Sequence, residues 1–434
     1  DARDKQGFQR LEELAQKTIE DEAALRLIAV PILGRRLGVD STAVLPPASQ
    51  VRDILGSDKF STSEVVEFQR VYVLRGSVVK GVLPGDALED MRARLADRGY
   101  GESTELFLQR SREEGQSVLF LMLKEDLPQN EFAWWQWVLC VALLLASLAS
   151  VNITTFSVVA MSQMNATSMD INEVTKIALK TVPTAVAIFA TVAAQEAARR
   201  AAASKYGVEL TPPFFIPVWP FPSVGCFGAI TRRLGTVPNE EASMAMSVAS
   251  GLAGYAVSFA VLFYGLSLGP DPDKIVNLNF QLLPLLLKLV LKPVLGQSSV
   301  SDQPDPFADP ISIAFPSNPY TIGGIIGLIV VSLNLLPIGR LDGGVLAKSI
   351  LGGRNGGFLG FGALFLLLLG SLAPNDAGLI YITFGFFAII FQSGGESPPR
   401  DSVTEVDGTL KTLASLLLIL GTVLSLPGAL LPNL

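Results

Sequence analysis

Apolar and polar positions alternate at short range through the first third of the chain, whereas beyond residue 132 the apolar residues run together in blocks of about 20. Residues 8–30 carry Phe8, Leu11, Leu14, Ile19 and Leu25 loosely at helical spacing among many carboxylates, which predicts an amphipathic helix. After a proline break at Pro46–Pro47, "RVYVLRGSVVKGVL" reads as strand. The next stretch, "PGDALEDMRARLADRGYG", reads as a helix opened by Asp86 and closed at Gly99 or Gly101. "TELFLQRS" and "SVLFLMLK" follow as strands with alternating apolar positions. Together these elements predict a small soluble α+β domain over residues 1–125, in which no polar constellation suits catalysis.

From Phe132 onward the pattern changes. "FAWWQWVLCVALLLASLASV" supplies about 20 apolar residues, enough to cross ~30 Å of hydrocarbon, and Trp134, Trp135 and Trp137 open it where indoles anchor at the lipid–water boundary. Further spans are expected at 174–203, 242–268, 320–338, 357–373, 377–393 and 409–431. The run at 279–295 is shorter and interrupted by Pro284, Lys288, Lys292 and Pro293, so it reads as re-entrant or interfacial. The intervals 301–317 and 394–408 read as polar links. The expected fold is a polytopic α-helical membrane protein, about seven spans plus a re-entrant or interfacial segment over residues 126–434, behind the N-terminal soluble α+β domain. The short loops carry few charges and give orientation only a lean.

Composition sharpens this picture. Of 434 residues 49% are hydrophobic and 17% charged, and 40 of the 73 charged side chains fall within the first 130 residues. A net charge of −7 with dispersed cations excludes the basic stripe of a nucleic-acid binder. Cys140 and Cys226 lie in or beside apolar segments and read as packing residues. The opening at Asp1, with no apolar signal segment before the first span, reads as a processed or trimmed start. Most consequential, the chain has no histidine, which removes imidazole as ligand, base or proton shuttle.

Ionisable residues at membrane depth are costly and mark candidate sites. Two groups stand out. In "TVPTAVAIFATVAAQEAARRAAA", Gln195, Glu196, Arg199 and Arg200 end a long apolar run; in "GLIVVSLNLLPIGRLDGGVLA", Asn334, Pro337, Arg340 and Asp342 follow a span, and Gly343–Gly344 is expected to let the backbone turn. "SVASGLAGYAVS" sets Ser247, Gly251 and Gly254 at a spacing that favours close helix approach. "LGGRNGGFLGFG" precedes an apolar span instead of following a strand, so it is not read as a phosphate loop.

These residues resemble the site-2 protease family of intramembrane zinc metalloproteases. In that family H-E-x-x-H places two histidines one helical turn apart around Zn²⁺, with the glutamate activating the bound water. The aspartate of N-x-x-P-x-x-x-L-D-G supplies the third ligand. The second motif is intact here as Asn334, Pro337, Leu341, Asp342 and Gly343. The segment "SKYGVELTPPFFIPVWPFPSVGCFGAITRR" resembles the plant and cyanobacterial branch, especially the chloroplast ethylene-dependent gravitropism-deficient and yellow-green proteins, where a Pro/Phe-rich re-entrant stretch leads to "GCFGAIT".

At the first motif the histidine positions correspond to Gln195 and Arg199, with Glu196 retained between them. Glutamine is a poor zinc ligand and a guanidinium offers no lone pair. The resemblance therefore implies a catalytically inactive member with no catalytic residues beyond the degenerate remnants Gln195, Glu196, Arg199 and Asp342, no bound metal and no cofactor. Its expected role is a binding, chaperone, regulatory or structural one toward other membrane proteins or a larger membrane complex, in the thylakoid or inner envelope of the chloroplast. An active intramembrane metalloprotease with an unusual centre, or a transporter or channel, are the other readings. Two carboxylates left without a metal need a cation, and Arg199 is expected to pair with Asp342, Glu196 or both, with Arg200 and Arg340 as rivals.

Overall fold

The computed structural model describes residues 45–68, 71–111, 116–127, 132–163, 171–218, 224–268, 275–277, 314–316, 318–372, 376–392 and 397–426. The helix expected at 8–30, the segment at 279–295 and most of the loop at 301–317 lie outside the described residues.

The polar third builds an α+β unit. Helix α1 (Ala48–Leu55) is followed by strands β1 (Phe60–Phe68) and β2 (Val71–Val78), helix α2 (Pro84–Asp97) and strands β3 (Thr104–Arg110) and β4 (Ser117–Leu123). The strands form one antiparallel sheet in the order β1-β2-β4-β3. Helix α2 turns Ala87, Leu88, Met91 and Leu95 inward against Leu74, Leu106, Leu108 and Leu121 of the sheet. Asp86 lies within the first turn of α2 and does not open it. Pro84 does so, because its fixed φ suits the first helical position and its missing N–H would have no partner there. Gly99, at φ 84°, follows the helix end. β3 and β4 depart from the half-buried pattern that their alternation suggested: Phe107, Phe120 and Met122, on the face away from α2, are as buried as the leucines.

Among the described residues four helices are long and apolar enough to cross a membrane. They are the Trp134–Phe156 part of α3 (Trp134–Gln163), the Thr181–Lys205 part of α4 (Ile171–Lys205), α5 (Glu240–Ser267) and α7 (Asp342–Ser371). Shorter apolar helices, α6 (Pro319–Asn334), α8 (Asp376–Phe387, ending in a π-helical turn to Gln392) and α9 (Gly408–Leu424), stand at the remaining positions where spans were expected. Helix α7 starts well before the apolar run at 357, and its path breaks at Gly352, whose φ of 82° no helix contains. Trp134, Trp135 and Trp137 are all exposed at the start of α3.

Between α4 and α5 an antiparallel hairpin, β5 (Phe214–Pro217) and β6 (Cys226–Ile230), enters the helical core. Ser150 of α3 donates to the Val218 carbonyl at 2.6 Å, and the Phe227 ring meets Phe384 edge-on at 5.2 Å. The hairpin occupies the Pro/Phe-rich stretch that the resemblance gave as re-entrant. Cys226 is fully buried within it and Cys140 is buried on α3, as packing residues would be.

The link at 394–408 is no passive connection. Its described part forms a strap that lies along the free edge of β3: the Leu108 N–H donates to the Arg400 carbonyl at 2.6 Å, and the Ser402 N–H to the Leu108 carbonyl at 3.0 Å. Arg400 Nε sits 2.8 Å from the buried Glu105 carboxylate. Burial pulls the Arg400 guanidinium below its ordinary range, and Glu105 opposes that. On its other side the strap meets the loop before α5, through Arg400 N–H to the Val237 carbonyl at 2.8 Å and Glu240 N–H to the Asp401 carbonyl at 3.2 Å. Tyr206, just past α4, donates to Glu241 at 2.8 Å. The C-terminal end of α4 and the N-terminal end of α5 thus gather at the base of the α+β unit.

Candidate functional site

Helix α4 carries the first polar group. At 1.5 Å per residue, Arg199 lies roughly 9 Å and Gln195 roughly 15 Å from the helix end at Lys205, so both sit below the gathered helix ends and not at the surface. Gln195 and Glu196 are buried, and the Gln195 side chain packs against α5 at Gly254, where a Cβ would come within 2.7 Å of it.

The second group is positioned by the turn between α6 and α7. Asn334, at the end of α6, donates from Nδ2 to the Phe227 carbonyl of β6 and to the Val330 carbonyl, both at 2.9 Å, which ties the hairpin to the helix. The turn itself falls at Gly339, with φ 53°. Gly343 and Gly344 were expected to provide it, but they are helical and serve a different need. A Cβ at Gly343 would overlap the Leu335 carbonyl oxygen, and one at Gly344 would lie 2.6 Å from the Gly339 carbonyl oxygen, so only glycine lets α7 begin directly against the preceding turn. Asp342 is the first residue of α7, where a carboxylate suits the positive end of the helix dipole.

The two groups meet. Arg199 Nη2 donates to Asp342 Oδ2 at 2.6 Å and to Ser250 Oγ at 2.9 Å, and Arg199 Nη1 stands 3.6 Å from Glu196 Oε1. The pairing expected between Arg199 and the aspartate is therefore present. It is largely withdrawn from solvent, with the two side chains 17% and 9% exposed. Arg200, a rival for that role, takes Glu196 instead, donating to Oε2 at 2.6 Å and reaching the Thr211 carbonyl at 3.0 Å. Thr231, the residue after β6, also donates to Glu196. Arg340, the other rival, gives its backbone N–H to the Gln392 carbonyl at 3.0 Å and lines the same small cavity as Arg199 and Asp342.

The sequence reading missed the hydroxyl partners. Ser250, and Ser247 one turn before it, hydrogen-bond the Asp342 carboxylate from α5. Both lie in the small-residue segment "SVASGLAGYAVS", where Ser247 counts in the spacing only as a small residue and Ser250 does not enter it.

Beside the pair is a cavity of about 60 Å³, walled by Arg199, Asp342, Asn334, Thr231 and the ring of Phe391. It suits a few waters and not an extended peptide. The residues present do not fit a zinc ion. The positions that imidazoles would hold carry an amide packed against Gly254 and a guanidinium already bonded to the remaining carboxylate, so the donor set supplies too few lone pairs and one positive charge.

Fold and site together describe an apolar helical core, four of whose described helices are long and apolar enough to cross a membrane, with an arginine bonded to a carboxylate at its centre. The relatives found for the chain fit that class. It is 25% identical over 409 residues to a probable zinc metalloprotease EGY2, chloroplastic, of Oryza sativa subsp. indica, covering 92% of this chain and 70% of that protein. It is 30% identical over 226 residues to a probable zinc metallopeptidase EGY3, chloroplastic, and 31% identical over 226 residues to a probable zinc metalloprotease EGY1, chloroplastic, both of Arabidopsis thaliana. Those two alignments span 49% and 51% of this chain, and 36% and 38% of the relatives. No family model matches the chain, and no solved structure matches it. These relatives are the branch that the motifs resembled. With the apolar helices, they fit an integral membrane protein of the plastid.

Proposed function

We propose that this chain is a non-catalytic relative of the chloroplast site-2-protease-like proteins, a pseudoprotease whose seven apolar helices among the described residues span the membrane and whose work is to bind. The observation that carries the reading is the Arg199–Asp342 bond at 2.6 Å. A guanidinium held between Asp342 and Glu196 fastens α4 to α7 where a metal would otherwise join them, and leaves Glu196 neutralised by Arg200 with no activated water to make. The hairpin, the Asn334 tie and the close-packed glycines of α7 support a core that holds its shape without a metal.

The reading places the protein in the thylakoid or inner envelope as chaperone, regulator or fixed subunit for other membrane proteins. The test is isolation of the full chain from its native membrane in a mild detergent, with identification of what accompanies it. A membrane protein in fixed ratio, retained when Glu196→Gln is introduced, is the expected outcome. A chain that isolates alone and cleaves a reconstituted transmembrane peptide would overturn the proposal.

A further inference from the structure

The strap over residues 397–406 is held by the α+β unit as a docked peptide is held, and not as a full strand of its sheet. β3 pairs with β4 along its whole length, from Thr104–Leu123 to Arg110–Ser117, but it meets the strap around one residue, Leu108, in the parallel sense. Side chains complete the seat. Gln109 Nε2 donates to the Pro399 carbonyl at 2.7 Å, and the Arg110 N–H donates to Ser402 Oγ at 3.1 Å. The Arg400 side chain reaches Glu105, whose carboxylate is only 4% exposed, and Arg92 of α2 stands 3.6 Å from the same carboxylate. A segment that adds to a sheet edge takes affinity from its main chain and selectivity from a pocket for one side chain. Here the pocket is acidic and its occupant is an arginine. Pro398 and Pro399 come just before it; they bring no N–H that would need a partner, and they hold the chain extended, so the segment loses little freedom on docking.

The other side of the strap faces the helical core. The Asp401 N–H donates to the Pro238 carbonyl at 3.1 Å, and the Asp401 carbonyl accepts from Glu240, the first residue of α5, at 3.2 Å. Val403 packs against the core of the α+β unit that includes Met91 and Leu108. Val406, three residues on, is buried with Met244 and Val248 of α5 and Leu417 of α9. One short segment is shared by both cores. Because α5 also carries Ser247 and Ser250 to Asp342, a strap that leaves β3 loosens the end of the helix that presents those hydroxyls.

We propose that the β3 edge is a docking site for an extended, arginine-bearing segment of a partner protein, that the strap is its resident occupant, and that the partner's segment displaces the strap and frees the N-terminal end of α5. The proposal assumes nothing about catalysis at the Arg199–Asp342 pair, so its failure and the failure of the pseudoprotease reading are separate outcomes.

The test uses the full chain in detergent and a fluorescent synthetic peptide of residues 397–406 as the probe, with anisotropy reporting binding. A tethered strap competes at an effective concentration on the order of millimolar, so the wild type resists the free peptide, whereas Arg400→Gln weakens the resident strap and uncovers the edge. The peptide should bind Arg400→Gln at least tenfold more tightly than it binds the wild type. The same peptide carrying Arg400→Glu should bind neither chain, and Glu105→Gln added to the Arg400→Gln chain should erase the preference for arginine. Hydrogen exchange of the wild type at about 5 mM peptide follows the displacement and needs no variant to fold. The amides of Arg400, Ser402 and Glu240 should exchange at least fivefold faster, while Leu108, whose N–H passes from the strap to the peptide, stays protected. The proposal is overturned if the peptide binds folded Arg400→Gln no better than the wild type, if the arginine and glutamate peptides bind alike, or if the peptide leaves exchange at Arg400, Ser402 and Glu240 unchanged.

Discussion

Arg199 is the residue on which the account turns. Its charge is matched by Asp342 at 2.6 Å in surroundings that leave the pair little water, so removing one partner orphans a buried charge. Arg199→Ala should therefore destabilise the folded chain by about 3–5 kcal/mol, whereas Arg199→Ala combined with Asp342→Ala should cost much less than the sum of the single changes. Thermal or denaturant unfolding in detergent measures both. A double-variant loss equal to the sum of the two single losses would mean that the pair contributes nothing as a pair. At this scale the sequence was informative because the chemistry was restrictive. Without histidine, and with two carboxylates facing each other, a cation had to come from an arginine, and helical spacing put Arg199 on the proper face. Which arginine served which carboxylate was left open between Asp342 and Glu196, and the packed helices decide it. The hydroxyls of Ser247 and Ser250 were not legible, since spacing along α5 says nothing about what faces it across the bundle.

The helices pack through glycine at several crossings. Gly324 of α6 faces the Leu262 backbone of α5, where an added Cβ would come within 2.6 Å of a main-chain nitrogen that cannot yield. Gly362 of α7 has nothing within 4 Å of that position. Gly324→Ala should thus lower stability by about 1–3 kcal/mol through forced separation of two helices. Gly362→Ala should be neutral or slightly stabilising, since alanine favours helix by up to about 1 kcal/mol. Unfolding midpoints in detergent compare them directly, and equal effects would refute the close-approach argument. Element existence was readable from the block pattern of apolar residues, because a span of hydrocarbon admits few alternatives. Element ends were less so. Gly343 and Gly344 look like a turn in sequence, yet Gly339 makes the turn and the pair answers a crowding that only the packed neighbours reveal.

For the whole molecule, the strap changes how the N-terminal α+β unit is understood. The boundary near residue 125 follows the composition, but the edge of β3 is completed by Arg400–Ser402, nearly 300 positions later in the chain. A polar stretch rich in proline and serine reads as linker, and its backbone pairing carries no sequence signal. We propose that residues 1–125 fold alone as a soluble α+β unit whose β3 edge is then bare and prone to pairing. Fusing residues 397–406 to the fragment should suppress its self-association in analytical ultracentrifugation and slow amide exchange at Leu108. If the fragment is unfolded with or without the strap, folding depends on the membrane core and the boundary is misplaced.

The central claim is that a protein cation holds the place of a metal between α4 and α7. Elemental analysis of the purified full chain, after dialysis against zinc-containing buffer and removal of loosely held ions, tests it most directly. The account predicts zinc far below one ion per chain, unchanged by Asp342→Ala. Zinc near one ion per chain, lost in Asp342→Ala, would contradict it.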